Sequence, residues 1–267
     1  MKGFILSLRS EFYKSRKTLG FWAAILLPLI ICLLVSAGFY VKSAKMVNMP
    51  GLLVWMAFSR AILNVMGSLL LPIFVIIVGY SVNSIEHKAD TWKTLFSLPI
   101  SKWSVYSAKY AYALLLVFIC LLLFLGLTVG LGNLLGILKP ELKFSEYSMS
   151  KALTQVYFKL FLSSLGILSI QFLLSLLWSD FLKPMGVGFV CTIIGVILGV
   201  TNWEYTYLFP YSHQMMALRN MMPRIKGRGT APEFVIDIFT KDVYVGLGIA
   251  VVVFIAGFFI VQRKSIK

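Results

Sequence analysis

The side chains of this sequence that could do chemistry are few and scattered. His87 and His213 stand far apart, with no His-Glu-x-x-His pair to hold a zinc ion and no Gly-x-Ser-x-Gly turn to present a nucleophile. Cys32, Cys120 and Cys191 each fall inside an apolar run and share no Cys-x-x-Cys spacing. They read as small buried hydrophobes rather than as ligands or redox partners. Asp180, just before Lys183-Pro184, suits a structural cap or a local ion pair. The glycines of Lys226-Gly-Arg-Gly-Thr230 lack the Gly-x-x-x-x-Gly-Lys-Ser/Thr spacing that cradles nucleotide phosphates. No catalytic, metal-binding or cofactor-binding residue is therefore assigned.

The elements that carry these residues are of one kind. Of 267 residues, 59% are hydrophobic and 13% charged, against roughly 25% charged in soluble domains, and the mean hydropathy is +0.88. A water-soluble fold of this size cannot hide that much apolar surface. The charge-free stretches 18–41, 61–85, 110–138, 160–179, 184–203 and 243–262 are each long enough for a helix to cross a hydrocarbon core of about 30 Å. The expected spans are about 18–41, 61–83, 108–132, 160–179, 184–203 and 243–262. Two shorter runs, Met46–Ser59 and Tyr205–Leu218, read as interfacial or re-entrant segments. Pro28 and Pro72 fall inside spans one and two and are expected to kink them. The expected fold is an all-α integral membrane protein, a single transmembrane domain over 1–267. The formal charge of +15 is explained by cationic flanks on anionic lipid head groups, not by nucleic-acid binding.

Lys and Arg divide almost evenly between the two sides of this topology. Lys14, Arg16 and Lys17 abut the first span, however, and Arg263 and Lys264 the last, so both termini are placed in the cytoplasm. Residues 1–17 form an amphipathic interfacial helix, with Phe4, Ile5, Leu8 and Phe12 on one arc. Residues 84–98 form a second short amphipathic helix between spans two and three. Ile85, Ala89, Trp92 and Phe96 are expected on one face, Glu86, His87, Asp90 and Lys93 on the other, and Pro99 ends it. Residues 204–242 make an outward excursion that begins with Trp203, Tyr205, Tyr207, Phe209 and Tyr211 and leaves through Arg219, Arg224, Lys226 and Arg228. Ionisable residues at membrane depth cost about 2.5 to 3.5 kcal/mol each on insertion scales, and none is expected within these spans. The polar candidates there are Asn64 and Gln171, with Arg60 at the outer end of span two. Interhelical hydrogen bonding is their commoner use, and lining a substrate path the sharper one.

The order of these segments resembles the permease subunits of the type-2 ATP-binding-cassette (ABC) exporter class, particularly its lantibiotic-immunity-like and multidrug-like branch. The local signature is Asp90-Thr-Trp-Lys93 followed by Leu95-Phe-Ser-Leu-Pro-Ile-Ser-Lys102. The resemblance implies that 1–17 is an elbow helix and 84–98 a coupling helix. It implies a cytoplasmic ABC ATPase subunit that docks through Glu86, His87, Asp90, Trp92, Lys93 and Phe96, and that binds ATP and Mg itself. A second permease copy, or a homologous permease, would complete a dimer in a bacterial plasma membrane. The cargo would be hydrophobic or amphipathic, a peptide, lipid or drug-like molecule, and this chain would not be an enzyme. A secondary transporter is opposed by the lack of an acidic or histidine relay in the expected spans and of a visible inverted repeat. A polytopic membrane enzyme is opposed by the missing catalytic set.

Overall fold

Apolar runs of this length can cross a bilayer only as helices, because every backbone N–H and C=O must be satisfied within its own segment. The protein, as a computed structural model describing residues 2–47, 49–97, 99–201, 203–219 and 236–263, is helical throughout its described spans. Among these described residues, six helices are long and apolar enough to cross a membrane. In chain order the helices are α1 (Lys2–Ser15), α2 (Leu19–Val41), α3 (Gly51–Val65), α4 (Leu71–Ala89), α5 (Trp92–Ser97), α6 (Lys102–Leu138), α7 (Ser150–Leu177), α8 (Leu182–Thr201), α9 (His213–Arg219) and α10 (Lys241–Arg263).

Thr18 separates α1 from α2. Its hydroxyl accepts from the Phe21 N–H at 3.4 Å, an N-cap that answers one of the free donors of the first turn. A second donor, the Gly20 N–H, reaches Ser81 Oγ on α4 at 3.1 Å. In α1 the sequence-expected apolar arc divides. Leu8 packs on the core, whereas Ile5 and Phe12 are exposed beside Leu6 and Tyr13. The reason is that the buried face is also occupied by Glu11 and Ser15.

The second span differs most from expectation. α3 and α4 are joined by a π turn over Met66–Leu70 into one helix, Gly51–Ala89, of 39 residues. The run Met46–Ser59, read from sequence as interfacial or re-entrant, mostly belongs to this helix. The π turn directly precedes Pro72, whose ring cannot donate the usual backbone bond to the turn before it, so the ladder changes its register there. Trp55 anchors the start of this helix by donating from Nε1 to the Phe144 carbonyl at 2.8 Å, with Phe39 and Phe58 packed around Phe144.

α6, with 37 residues, is about 55 Å long at 1.5 Å per residue, well beyond the hydrocarbon thickness of about 30 Å. Its first turns therefore stand at the membrane surface on the side of α1. α7 begins at Ser150 rather than near residue 160, which takes Lys159 into the helix and buries it. The sequence reading that no ionisable residue lies within the spans is corrected by that burial. After α8 the chain turns inward through short 3-10 segments at Thr206–Leu208 and Pro210–Ser212 into α9, where Leu218 packs against Gly67 in the π turn. At Gly195 on α8 a Cβ would lie 2.4 Å from the Tyr211 carbonyl oxygen, so only glycine admits the excursion so close. The basic residues Arg224, Lys226 and Arg228 lie outside the described residues.

Candidate functional site

The side chains of greatest interest gather where α1, α4, α5, α6 and α7 meet, on the side of the N-terminus. α4 ends at Asp90, which adopts the left-handed conformation (φ 48°, ψ 37°) while its N–H still bonds to the Glu86 carbonyl. The chain then starts a new, six-residue helix, α5. The single helix expected over 84–98 is thus two pieces, and the expected division of its residues between two faces does not hold. Glu86 and His87 belong to the last turn of α4, while Trp92 opens α5.

Glu86 is buried, which corrects its assignment to an exposed docking face. Its Oε2 accepts from Lys109 Nζ at 2.7 Å and its Oε1 from Lys14 Nζ at 3.1 Å. Glu11 on α1 completes the set, with Oε2 accepting from Lys109 at 3.0 Å and Oε1 from Lys14 at 3.5 Å. Two carboxylates and two ammonium groups therefore form a closed, charge-neutral ring that joins α1, α4 and α6. The third proton of Lys109 goes to the Val82 carbonyl at 2.9 Å. Lys109 is 1% exposed and Glu86 2%, whereas Lys14 is 32% exposed and closes the ring on its outer edge. Burial works against the Lys14 ammonium, but the Glu11 and Glu86 carboxylates more than compensate and raise its pKa above the ordinary lysine value. Ser15 and Tyr112 hydrogen-bond through their hydroxyls beside the ring.

His87 makes the second connection. Its Nε2 donates to the Ser175 carbonyl at 2.9 Å, which leaves Nδ1 to accept from Trp92 Nε1 at 3.2 Å. Ser175 in turn donates to the Gly79 carbonyl at 2.7 Å and accepts from Asn83 Nδ2 at 2.8 Å, so α4 and the end of α7 are stitched together over two turns. The Trp92 ring also faces Lys109 Nζ at 5.6 Å from its centroid. One aromatic side chain thereby ties α5 to α4 and α6, and His87 carries the connection on to α7. Asp90 is exposed, and so are Lys88, Thr94 and Ser97 around it. Lys93 and Phe96 lie on α5, but their side chains are outside the described residues.

The other sequence candidates are not brought together. Asn64 faces outward from α3. Gln171 is buried on α7, packed against Gly79, and donates from Nε2 to Tyr211 Oη at 2.6 Å. Asp180 takes the role the sequence suggested, accepting from the Lys183 backbone N–H at 3.0 Å and pairing with its ammonium at 2.7 Å. These bonds hold the Asp180 carboxyl below the usual carboxylate range. His87 bonds to the end of α7 at Ser175, whereas His213 packs against Gly246 of α10, and the two histidines are not brought together.

Sequence reasoning missed Glu11 and Lys109, although each carries a signal. Glu11 is the lone acid in the basic stretch Lys2–Lys17, and Lys109 the lone charge between Trp103 and Leu138. An isolated charge in such a context needs a partner.

Among the described residues, then, six helices long enough to cross a membrane are packed together, and a compensated ring of charges joins α1, α4 and α6. The model for ABC-2 family transporter proteins matches residues 7–195, and the chain belongs to that family. It is a multi-pass permease component of an ABC transporter. The match runs from α1 into α8 and so takes in the whole junction. Comparison with curated proteins and with solved structures gives no match.

Proposed function

We propose that this chain is the membrane half of an ATP-driven exporter in the cytoplasmic membrane, with both termini in the cytoplasm, working as a dimer with a separate ABC ATPase. The observation that carries this reading is the attachment of α5. It is too short to be stable alone, is set apart by the left-handed turn at Asp90, and is fastened by Trp92 to His87 and Lys109. A soluble partner that pushes on α5 would move the ends of α4, α6 and α7 together. The exposed edge formed by Lys88, Asp90, Thr94 and Ser97 supplies the docking contacts, while Trp92 and His87 pass the motion inward. Glu86 and Lys109 hold the receiving end rigid. The lipid-facing surface is apolar, which suits a hydrophobic or amphipathic cargo such as a peptide, lipid or drug-like molecule. ATP and Mg are bound by the partner.

The test is co-purification of this chain with an ABC ATPase from the same cell, followed by ATPase assays of the complex in nanodiscs. Asp90→Arg and Thr94→Arg should weaken assembly at least tenfold. Trp92→Phe, which removes the indole N–H together with the five-membered ring but keeps an aromatic ring, should leave assembly intact and reduce permease-dependent ATPase stimulation. The reading fails if no ATPase co-purifies, or if assembly and stimulation are unchanged in all three variants.

A further inference from the structure

Eight buried side-chain atoms have no hydrogen-bond partner among the described residues, and six of them belong to one region on the side opposite α1. These are Ser163 Oγ, His213 Nδ1, both amide atoms of Gln214, Thr240 Oγ1 and Asp242 Oδ2. They are placed by three helices. Lys159 and Ser163 are one turn apart on α7, as are Asp242 and Gly246 on α10. At Gly246 a Cβ would lie 3.0 Å from His213 Nδ1, and at Gly166 one would lie 3.4 Å from the Gly246 carbonyl oxygen, so α9 and α7 meet over the same glycine of α10. Lys159, 1% exposed, donates to the Asp237 carbonyl at 2.9 Å and leaves its other two N–H bonds unused among the described residues. Buried polar groups are nearly always paired, and where protein supplies no partner, bound water does. Six bare atoms and a half-used ammonium where α7, α9 and the start of α10 meet describe a hydrated nest, not six separate defects.

We propose that this nest is a closed, water-filled proton-binding site, in which His213 Nδ1 accepts the proton and Asp242 is its counter-ion. The hydrogen bonds fix the chemistry. His213 Nε2 donates to the Tyr207 carbonyl at 2.8 Å, so in the neutral ring the bare Nδ1 carries the lone pair. Asp242 Oδ2 is a second bare acceptor, and its charge acts on the imidazole. A proton on Nδ1 gives this carboxylate a donor, directly or through one water, while the Nε2–H bond stays as it is. Among the described residues four charged groups bear on the site: Lys159 from α7, Asp242 and Lys241 from α10, and Asp237 from the segment entering α10. They balance before uptake. α8 adds only the uncharged thiol of Cys191, near Tyr211. Lys159 opposes the imidazolium and Asp242 favours it, so the occupancy of His213 depends on both.

The experiment is NMR of the full chain in lipid nanodiscs with ring-15N histidine. Only two histidines are present, and His213→Gln assigns the resonance by its loss. In the wild type, Nδ1 of His213 should be unprotonated at neutral pH and convert reversibly to the imidazolium as the pH is lowered. Asp242→Asn should lower the midpoint by about one unit or more and Lys159→Met should raise it by a similar amount. Asp242→Glu and Lys159→Arg should stay near the wild-type value. Magnetisation should also pass from water to the His213 ring. A ring that stays neutral down to pH 4 in folded protein overturns the proposal, as does a ring without water contact or a midpoint indifferent to both charge-removing variants. The wild-type titration and water transfer decide the matter if those variants misfold.

Discussion

Lys109 shows why a single charge can matter more than the excess of fifteen positive charges in the chain as a whole. It is enclosed, and its three donors are committed to Glu86, Glu11 and the Val82 carbonyl. Removing one member of a buried ionic set leaves the others desolvated and uncompensated, at a cost of about 3 to 5 kcal/mol. Lys109→Met should therefore destabilise the protein by about that much in reversible unfolding in detergent. Lys14→Met should cost about 1 kcal/mol or less, because Lys14 is partly solvated and its partners keep Lys109. Equal losses for the two variants would show that the ring is not organised around Lys109. Of these four residues the sequence singled out Glu86 for a role at a site, as an exposed contact. Helical periodicity assigned it to the polar face of 84–98, and periodicity cannot tell a polar face turned to water from one turned to a neighbouring ion pair.

The elements of the junction depend on where helices stop. The left-handed backbone at Asp90 costs roughly 1 to 2 kcal/mol for a residue with a Cβ, and least for Gly, Asn or Asp. Asp90→Gly should leave stability within about 1 kcal/mol of wild type, whereas Asp90→Val should lower it by roughly 1 to 2 kcal/mol and straighten α4 into α5. Retention of the wild-type ATPase coupling by Asp90→Val would argue against a separate α5. On the opposite side, Gly195→Val should displace the excursion from α8, since its Cβ would meet the Tyr211 carbonyl, and should cost roughly 1 to 3 kcal/mol. The end of α5 at Ser97 was legible in advance from Pro99, because proline acts on its neighbours wherever it stands. The break at Asp90 was not, because Asp in a helical run carries no comparable local signal.

At the scale of the whole molecule, six crossing helices put Ser97 and Ser145 at opposite ends, both exposed. A cysteine introduced at Ser145 should react with an impermeant maleimide added outside intact cells, and one at Ser97 only after permeabilisation. Labelling of the Ser97 variant from outside would invert the topology and with it the proposed ATPase contact. The charged ring lies beside α5 and the hydrated nest beneath the excursion; α7 lends Lys159 and Ser163 to the nest and, further along, Ser175 to the bonds with His87 and Asn83 beside the ring.

The sequence by itself determined that the chain is helical, crosses a membrane six times and falls in the ABC-2 class. Apolar run length is a local property that the thickness of a bilayer reads directly, and the order of the segments is fixed by the chain. Tertiary structure alone decided which polar residues matter. Glu11, Lys14, Glu86 and Lys109 come from three helices far apart in sequence, and Lys159, His213 and Asp242 from three others. Whether a charge inside such a protein is tolerable depends on its neighbours in space, because in a medium of low dielectric a charge is stable only with its partner at hydrogen-bonding distance.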